Sequence, residues 1–225
     1  VPAPSALLLG SISSVVDTSE LQRRAFNDAF SHHGLDWEWD RERYAAMLTS
    51  NGGRDRIAEY ARSTGESVDA DAVHATKSRI FQQLLGASTL HPRPGVAETV
   101  RAAHEQGLRV GLVTSTSKEN VAALLEAVRD DLAAGEFDVV VDSSRVERTK
   151  PDPAAYTVAL DELGLSAGQC VAVEDNPGGV EAAAAAEVPC VAFPNENTAS
   201  ADFGAALARV EALDLAQLRD LVENR

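Results

Sequence analysis

From Gly95 onward the chain alternates between helix-patterned segments and short uninterrupted apolar runs, "LRVGLVT", "FDVVVDS", "QCVAVED" and "PCVAF". Runs of that length without polar alternation are strands buried on both faces. The segments between them, "SKENVAALLEAV", "DPAAYTVALDELG" and "GGVEAAAAAEV", carry helical periodicity and supply the crossovers that parallel strands need. The chain is therefore restricted to an α/β fold, a Rossmann-like core with a parallel sheet covered on both sides. The run at 6–9 in "ALLLG" has the same character and joins the sheet as its first strand.

Residues 18–88 interrupt this pattern. "SELQRRAFNDAFSHHG", "DRERYAAMLTS", "RDRIAEYARSTG" and "ADAVHATKSRIFQQLLG" all show a helical period and each closes on Gly or a polar breaker. "HPRPGV" at 91–96 then marks a boundary, because two prolines disfavour helix. The expected organisation is a core from 1–16 and 91–225, with a helical cap at 17–90 inserted after the first strand. The tail, 203–223, reads as two further helical segments.

Composition excludes some function classes. The chain has 35 acidic against 20 basic residues, a formal net charge of −15, and no basic patch along the sequence. Such a surface repels nucleic acid and anionic lipid, so neither is expected as a partner. The apolar runs fall far short of the roughly 20 residues a membrane span needs. The start, "VPAPSALLLGS", lacks the basic and long apolar parts of a signal peptide. Cys170 and Cys190 have no metal-type spacing and are expected as buried, reduced thiols in a cytoplasmic protein.

Ligands of open α/β sheets bind beyond the carboxyl ends of the strands. In "GLVTSTSKEN", Thr114 ends a strand and Ser115 to Ser117 precede a helix, which suits an anion such as phosphate, or simply a helix cap at Ser117. In "RTKPDPAAY", Lys150 is either a ligand cation or a solvated loop lysine. In "VAVEDNPGGVEAA", Glu174 and Asp175 end a strand, where adjacent carboxylates suit Mg²⁺ or the chemistry of a turn and cap.

These three stretches together resemble motifs II, III and IV of the haloacid dehalogenase superfamily. Their order, with the helical insert, resembles the β-phosphoglucomutase-like branch with a C1-type α-helical cap, and within it the CbbY-like sugar-phosphate phosphatases. "DTSELQRRAFNDAFSHHGLDWEWD", "NGGRDRIAEY" and "RPGV" carry the likeness across nearly the whole chain. The resemblance implies a phosphate site at Thr114, Ser115 and Lys150, a metal site at Glu174 and Asp175, and a cap loop that selects the substrate at Gly52, Gly53, Arg54 and Arg56.

Motif I departs from the family. Its strand runs Phe-Asp-x-Asp-Gly-x-x-x-Asp-Thr, and over "LGSISSVVDT" only Asp17-Thr18 agree. The nucleophilic Asp falls on Gly10, the acid–base Asp on Ile12 and the turn glycine on Ser13. General acid–base help is worth roughly 10²–10⁴-fold, and losing a nucleophile that acts within a unit costs on the order of a million-fold. The expectation is a sugar-phosphate binder that is non-catalytic or keeps only residual activity, a pseudoenzyme, with weakened Mg²⁺ affinity at Glu174 and Asp175. The alternative is a phosphatase in which a metal on those carboxylates activates water. Asp17 and Glu20 are expected to cap the first cap helix. His32 and His33 are expected at that helix's C-terminal end rather than as ligands, and Trp37 and Trp39 are expected to pack cap helices together.

Overall fold

The computed structural model describes residues 3–48 and 52–225. Five parallel strands, β1 (Ala6–Leu9), β2 (Arg109–Val113), β3 (Val139–Val141), β4 (Cys170–Glu174) and β5 (Cys190–Ala192), form one sheet in the order β3-β2-β1-β4-β5. The order reverses between β1 and β4, and a crevice opens beyond the carboxyl ends at such a switch point. Leu9 lies level with Leu112 on one side and Val173 on the other. Residue 10 therefore emerges beside residue 174, with the Gly10 N–H donating to the Val173 carbonyl at 2.7 Å.

Side chains alternate across the sheet. Leu7, Leu9, Leu112 and Val173 enter one apolar core, where α6 (Val96–Glu105) and α10 (Leu215–Glu223) pack. Ala6, Leu8, Val113 and Ala172 enter the other, under α8 (Ala154–Leu163) and α9 (Pro177–Ala185). The alanines of α9 allow its close approach to β4 and β5. Both cysteines are buried free thiols, and no helix among the described residues is long and apolar enough to cross a membrane.

Among the described residues between β1 and α6 lie a single helical turn, α1 (Ile12–Val15), and four longer helices: α2 (Ser19–His32), α3 (Arg41–Ala46), α4 (Gly53–Thr64) and α5 (Ala70–Ala87). These four bury a core of their own. Trp39 is fully buried with its ring centroid 4.9 Å from that of Phe26 and 4.7 Å from that of Phe30, and Trp37 meets Phe30 at 5.3 Å. Ala25, Phe81 and Leu85 instead join the sheet-side core, which seats α2 and α5 on it. α5 also meets α7 (Lys118–Ala127), where the Gln82 amide donates to Asn120 Oδ1 at 2.9 Å.

Two sequence expectations are corrected. Only α10 is helical in the tail. Residues 207–210 instead run along the edge of β5, with the Ala192 N–H donating to the Ala208 carbonyl and the Val210 N–H to the Ala192 carbonyl. An unpaired strand edge offers backbone bonds that a weak helix former around Gly204 takes up instead. Nor do Asp17 and Glu20 form a capping box. Asp17 Oδ1 accepts from the Ser19 N–H and hydroxyl, while Glu20 turns to Arg23 and Asn197, whose charged and amide donors win it from the helix end. His32 and His33 do end α2, His33 sharing a hydrogen bond with the Thr76 hydroxyl.

Candidate functional site

A cavity of about 390 Å³ lies between the strand tips and the cap. Its floor holds Ser11, Thr114, Ser115, Lys150 and Asp175; its roof holds Gly52, Gly53, Arg54, Arg56, His74 and Lys77. The segments singled out at the strand ends thus converge with the cap loop. Ser50 and Asn51, in the stretch before that loop, lie outside the described residues.

On the floor, the space beside Gly10 is filled. A Cβ on residue 10 would lie 2.2 Å from the Glu174 carboxyl group and 2.5 Å from the Tyr156 hydroxyl. Gly179 on α9 leaves room on the other side, where a Cβ would come within 2.0 Å of Glu174 Oε2. Glu174 is therefore folded back under the strand tip between two glycines, fully buried and absent from the cavity lining. Tyr156 donates to its Oε1 at 2.7 Å, and Lys150 Nζ lies 2.6 Å from the same oxygen. Burial pushes the Glu174 carboxyl up from its usual range, with Lys150 opposing; burial also pushes the Tyr156 hydroxyl up, reinforced by the neighbouring Glu174.

Lys150 is 2% exposed and has three N–H donors. They go to Glu174, to the Val113 carbonyl at 2.7 Å and to the Gly10 carbonyl. The lysine sits in the cavity wall, yet its donors all point into the protein. An anion in the cavity reaches that charge without a direct hydrogen bond unless one of these contacts opens.

Asp175 alone of the two adjacent carboxylates lines the cavity. Its Oδ1 accepts from the Ser11 hydroxyl at 2.6 Å and from Asn176 at 3.0 Å, and its Oδ2 accepts from Asn195 at 2.6 Å. Ser11 also caps α1, accepting from the Ser14 N–H at 3.1 Å. Ser13 pairs with Thr18, and Ser14 with the Val173 carbonyl. Ile12 is 3% exposed and belongs to the apolar core, so it has no proton to give or take.

The donor set does not fit the Mg²⁺ that the resemblance implies. Mg²⁺ requires several oxygens in near-octahedral array. Here Glu174 is turned away and paired, residue 10 has no side chain, and Asp175 already holds three donors. Among the described residues no three His, Cys, Asp or Glu side chains gather in a metal-holding group.

The hydroxyl cluster at the head of α7 is built as the sequence suggests. Ser117 caps the helix by accepting from the Asn120 N–H at 3.3 Å, and Asn120 donates to Thr116 at 2.9 Å. Ser115 Oγ accepts from the Lys150 N–H at 3.2 Å, which ties this loop to the lysine's. Thr114 is 2% exposed and accepts from the Thr116 N–H.

The roof divides into an exposed rim and a buried interior. Arg54 is bound to Asp71 and Asp55, so its charge is largely met at the surface. Arg56 is buried, donates to the Met47 carbonyl at 3.0 Å and lies over the rings of Phe26 and Tyr44. Gly53 lets α4 approach α5, since a Cβ there would lie 2.8 Å from the His74 ring. Burial, with Lys77 nearby, pushes His74 down to about 4. Burial and then Arg56 push Lys77 down to about 7. Sequence reasoning missed His74, Lys77 and Tyr156. A signal for Lys77 was present: it lies four residues after Val73 and four before Phe81, on the buried stripe of α5.

Comparison with known proteins gives a consistent result. The haloacid dehalogenase-like hydrolase model matches residues 8–187. The plasmid-encoded protein CbbY of Cupriavidus necator is 37% identical over 210 residues, covering 90% of this chain and 83% of that one. Protein CbbY of Cereibacter sphaeroides is 37% identical over 205 residues, covering 89% of each. Among solved structures, a mutant CbbY from Rhodobacter sphaeroides in complex with xylulose-(1,5)bisphosphate superposes with a TM-score of 0.86 at 33% identity, covering 93% of this chain and 94% of that one. A β-phosphoglucomutase from Clostridium difficile shares the fold, with a TM-score of 0.82 at 16% identity over 98% of both chains.

Proposed function

The chain belongs to the haloacid dehalogenase-like hydrolase family, and on that footing we propose that it binds a phosphorylated small molecule, of the sugar-phosphate class, without hydrolysing it. One observation carries the reading: the carboxylate of Glu174 fills the place of the residue-10 side chain and is bound there by Lys150. Phosphatases of this family use Mg²⁺ and an aspartyl nucleophile as a rule. This floor offers neither a second carboxylate to a metal nor an acid at residue 10 or 12. Mg²⁺ therefore binds weakly, through Asp175 alone.

Binding is supported by what remains. Hydroxyls and N–H groups at the head of α7 suit phosphate oxygens. Arg56 in the roof and Lys150 in the wall bring positive charge to the cavity in a chain of net charge −15. The CbbY complex with a sugar bisphosphate makes that ligand class the natural choice here. The two buried thiols suit a reducing, cytoplasmic setting.

A second reading rests on the Ser11–Asp175 pair, a hydroxyl and a carboxylate 2.6 Å apart in the cavity. As a nucleophile and its base they would restore phosphoryl transfer by another route. Against it, both oxygens of Asp175 are already engaged, by Ser11, Asn176 and Asn195, and the Ser11 hydroxyl oxygen also accepts from the Ser14 N–H that starts α1.

A thermal-shift series with sugar monophosphates and bisphosphates, run beside a phosphate-release assay, separates the readings. The binder gains stability as ligand rises and releases no phosphate. Release that disappears in Ser11→Ala establishes the second reading. A flat thermal response to every phosphate ester overturns the first.

A further inference from the structure

Lys77 stands apart from the other two lysines of this chain, Lys118 and Lys150. Lys118 is exposed at the start of α7, and Lys150 is paired with Glu174. Lys77 is 4% exposed and lines the cavity. Its Nζ lies 4.7 Å from the ring centre of Phe26 and 4.8 Å from that of Phe81. It donates to Gln22 Oε1 at 3.2 Å, and no carboxylate among the described residues lies within ion-pair distance of it.

An amine buried away from water, with a neutral amide as its hydrogen-bond partner and the Arg56 guanidinium nearby, is poorly placed to hold a proton. Burial brings it to about 7, so much of it carries a free lone pair at neutral pH. Nucleophilic lysines are activated in this way, by an apolar pocket and a neighbouring cation. The cavity that Lys77 faces also contains the hydroxyl cluster at the head of α7. A ligand held there by its phosphate group would extend toward the roof.

We infer that Lys77 is a carbonyl-capture site, forming a reversible imine with phosphorylated aldehydes or ketones held in this cavity. The inference rests on the phosphate-binding reading and adds a reaction to it. The Nζ lone pair bonds to the carbonyl carbon and the oxygen takes up a proton, giving a carbinolamine. Loss of water then leaves the C=N bond. No oxidant, reductant or metal is needed, and addition of water reverses the step. Open-chain sugar phosphates carry the required carbonyl.

The test uses pyridoxal 5′-phosphate, a phosphorylated aldehyde, followed by borohydride reduction and peptide mass mapping. Glycerol 3-phosphate, which has no carbonyl, serves as competitor and as a separate probe of phosphate binding. The expected result is an adduct on Lys77 at least about tenfold above that on Lys118, because a lowered pKa enlarges the neutral fraction. Glycerol 3-phosphate suppresses it and raises the thermal stability of the wild-type protein, and Lys77→Arg abolishes it. Labelling confined to Lys118 or the amino terminus, with that thermal shift intact, overturns the inference and spares the binding reading. Labelling of Lys77 with no thermal shift and no competition overturns the binding reading instead and leaves the amine's reactivity standing.

Discussion

The floor and the roof of the cavity treat buried charge in opposite ways. On the floor, Lys150 and Glu174 are both fully buried and directly paired, with Tyr156 and two carbonyls taking up further donors and acceptors. In the roof, Lys77 is equally buried and has no anion beside it among the described residues. A paired buried charge is chemically quiet; an unpaired one shifts its protonation and becomes available. On the proposed reading the floor, where the family's chemistry would be, is inert, and the roof holds the group proposed to react.

That contrast can be broken first at its stronger end. Lys150→Met leaves Glu174 buried without its partner, and loss of one member of a buried pair costs about 3–5 kcal/mol. Urea denaturation checks this, and Lys150→Met combined with Glu174→Gln recovers most of the loss. If the single variant unfolds at the wild-type urea concentration, the floor is not held by this pair.

In the roof the sign is reversed. Lys77 is depressed from 10.5 in the unfolded chain to about 7 when folded. Below about pH 7 both states are protonated and the full cost of the buried charge is present. Between 7 and 10.5 the unfolded state binds more protons, so stability rises with pH across that window. Lys77→Met removes this slope, which amounts to about 5 kcal/mol over the whole window and about 2 kcal/mol between pH 7 and pH 9. The neighbouring titratable groups, the Arg56 guanidinium on α4 and the His74 imidazole on α5, neutral at these pH values, are unchanged in the comparison. Denaturation of both proteins at pH 7 and pH 9 should show the gap between them narrowing; a constant gap contradicts a depressed amine.

Gly10→Ala sharpens the account of the floor. The new methyl group would lie 2.2 Å from the Glu174 carboxyl, so that side chain must leave Lys150, at a cost of about 1–3 kcal/mol. A neutral result in thermal unfolding would mean that Glu174 has another berth. The smallest effect belongs to the rim, where Arg41 of the cap meets Glu196 of the core with both side chains about half exposed. Arg41→Ala should change stability by less than about 1 kcal/mol, and added salt should erase the difference.

The sheet was legible because its strands are continuous apolar runs and its helices have a different period, so neither could be mistaken for the other. The hydroxyls, the lysine and the carboxylates at the strand ends were legible for the same reason, since strand ends converge. Two things were not. The sequence puts Glu174 next to Asp175, and only the side-chain space freed by Gly10 and Gly179 sends one carboxylate inward and leaves the other in the cavity. Lys77 reads as an ordinary solvent-facing lysine until it is counted on the stripe of Val73 and Phe81, where an ammonium is out of place. Asp17 does accept from the Ser19 N–H that starts α2, but the capping box is not completed because Glu20 is taken by Arg23 and by the distant Asn197, and no local pattern reports the latter.

The central claim is that a side chain folded into the space beside Gly10 has silenced the strand-tip site. Phosphate release from sugar phosphates and p-nitrophenyl phosphate, measured with saturating Mg²⁺, tests it most directly. The account predicts the rate of the buffer blank for wild type and for Ser11→Ala alike. Turnover by wild type well above the blank that is lost in Asp175→Asn would contradict it.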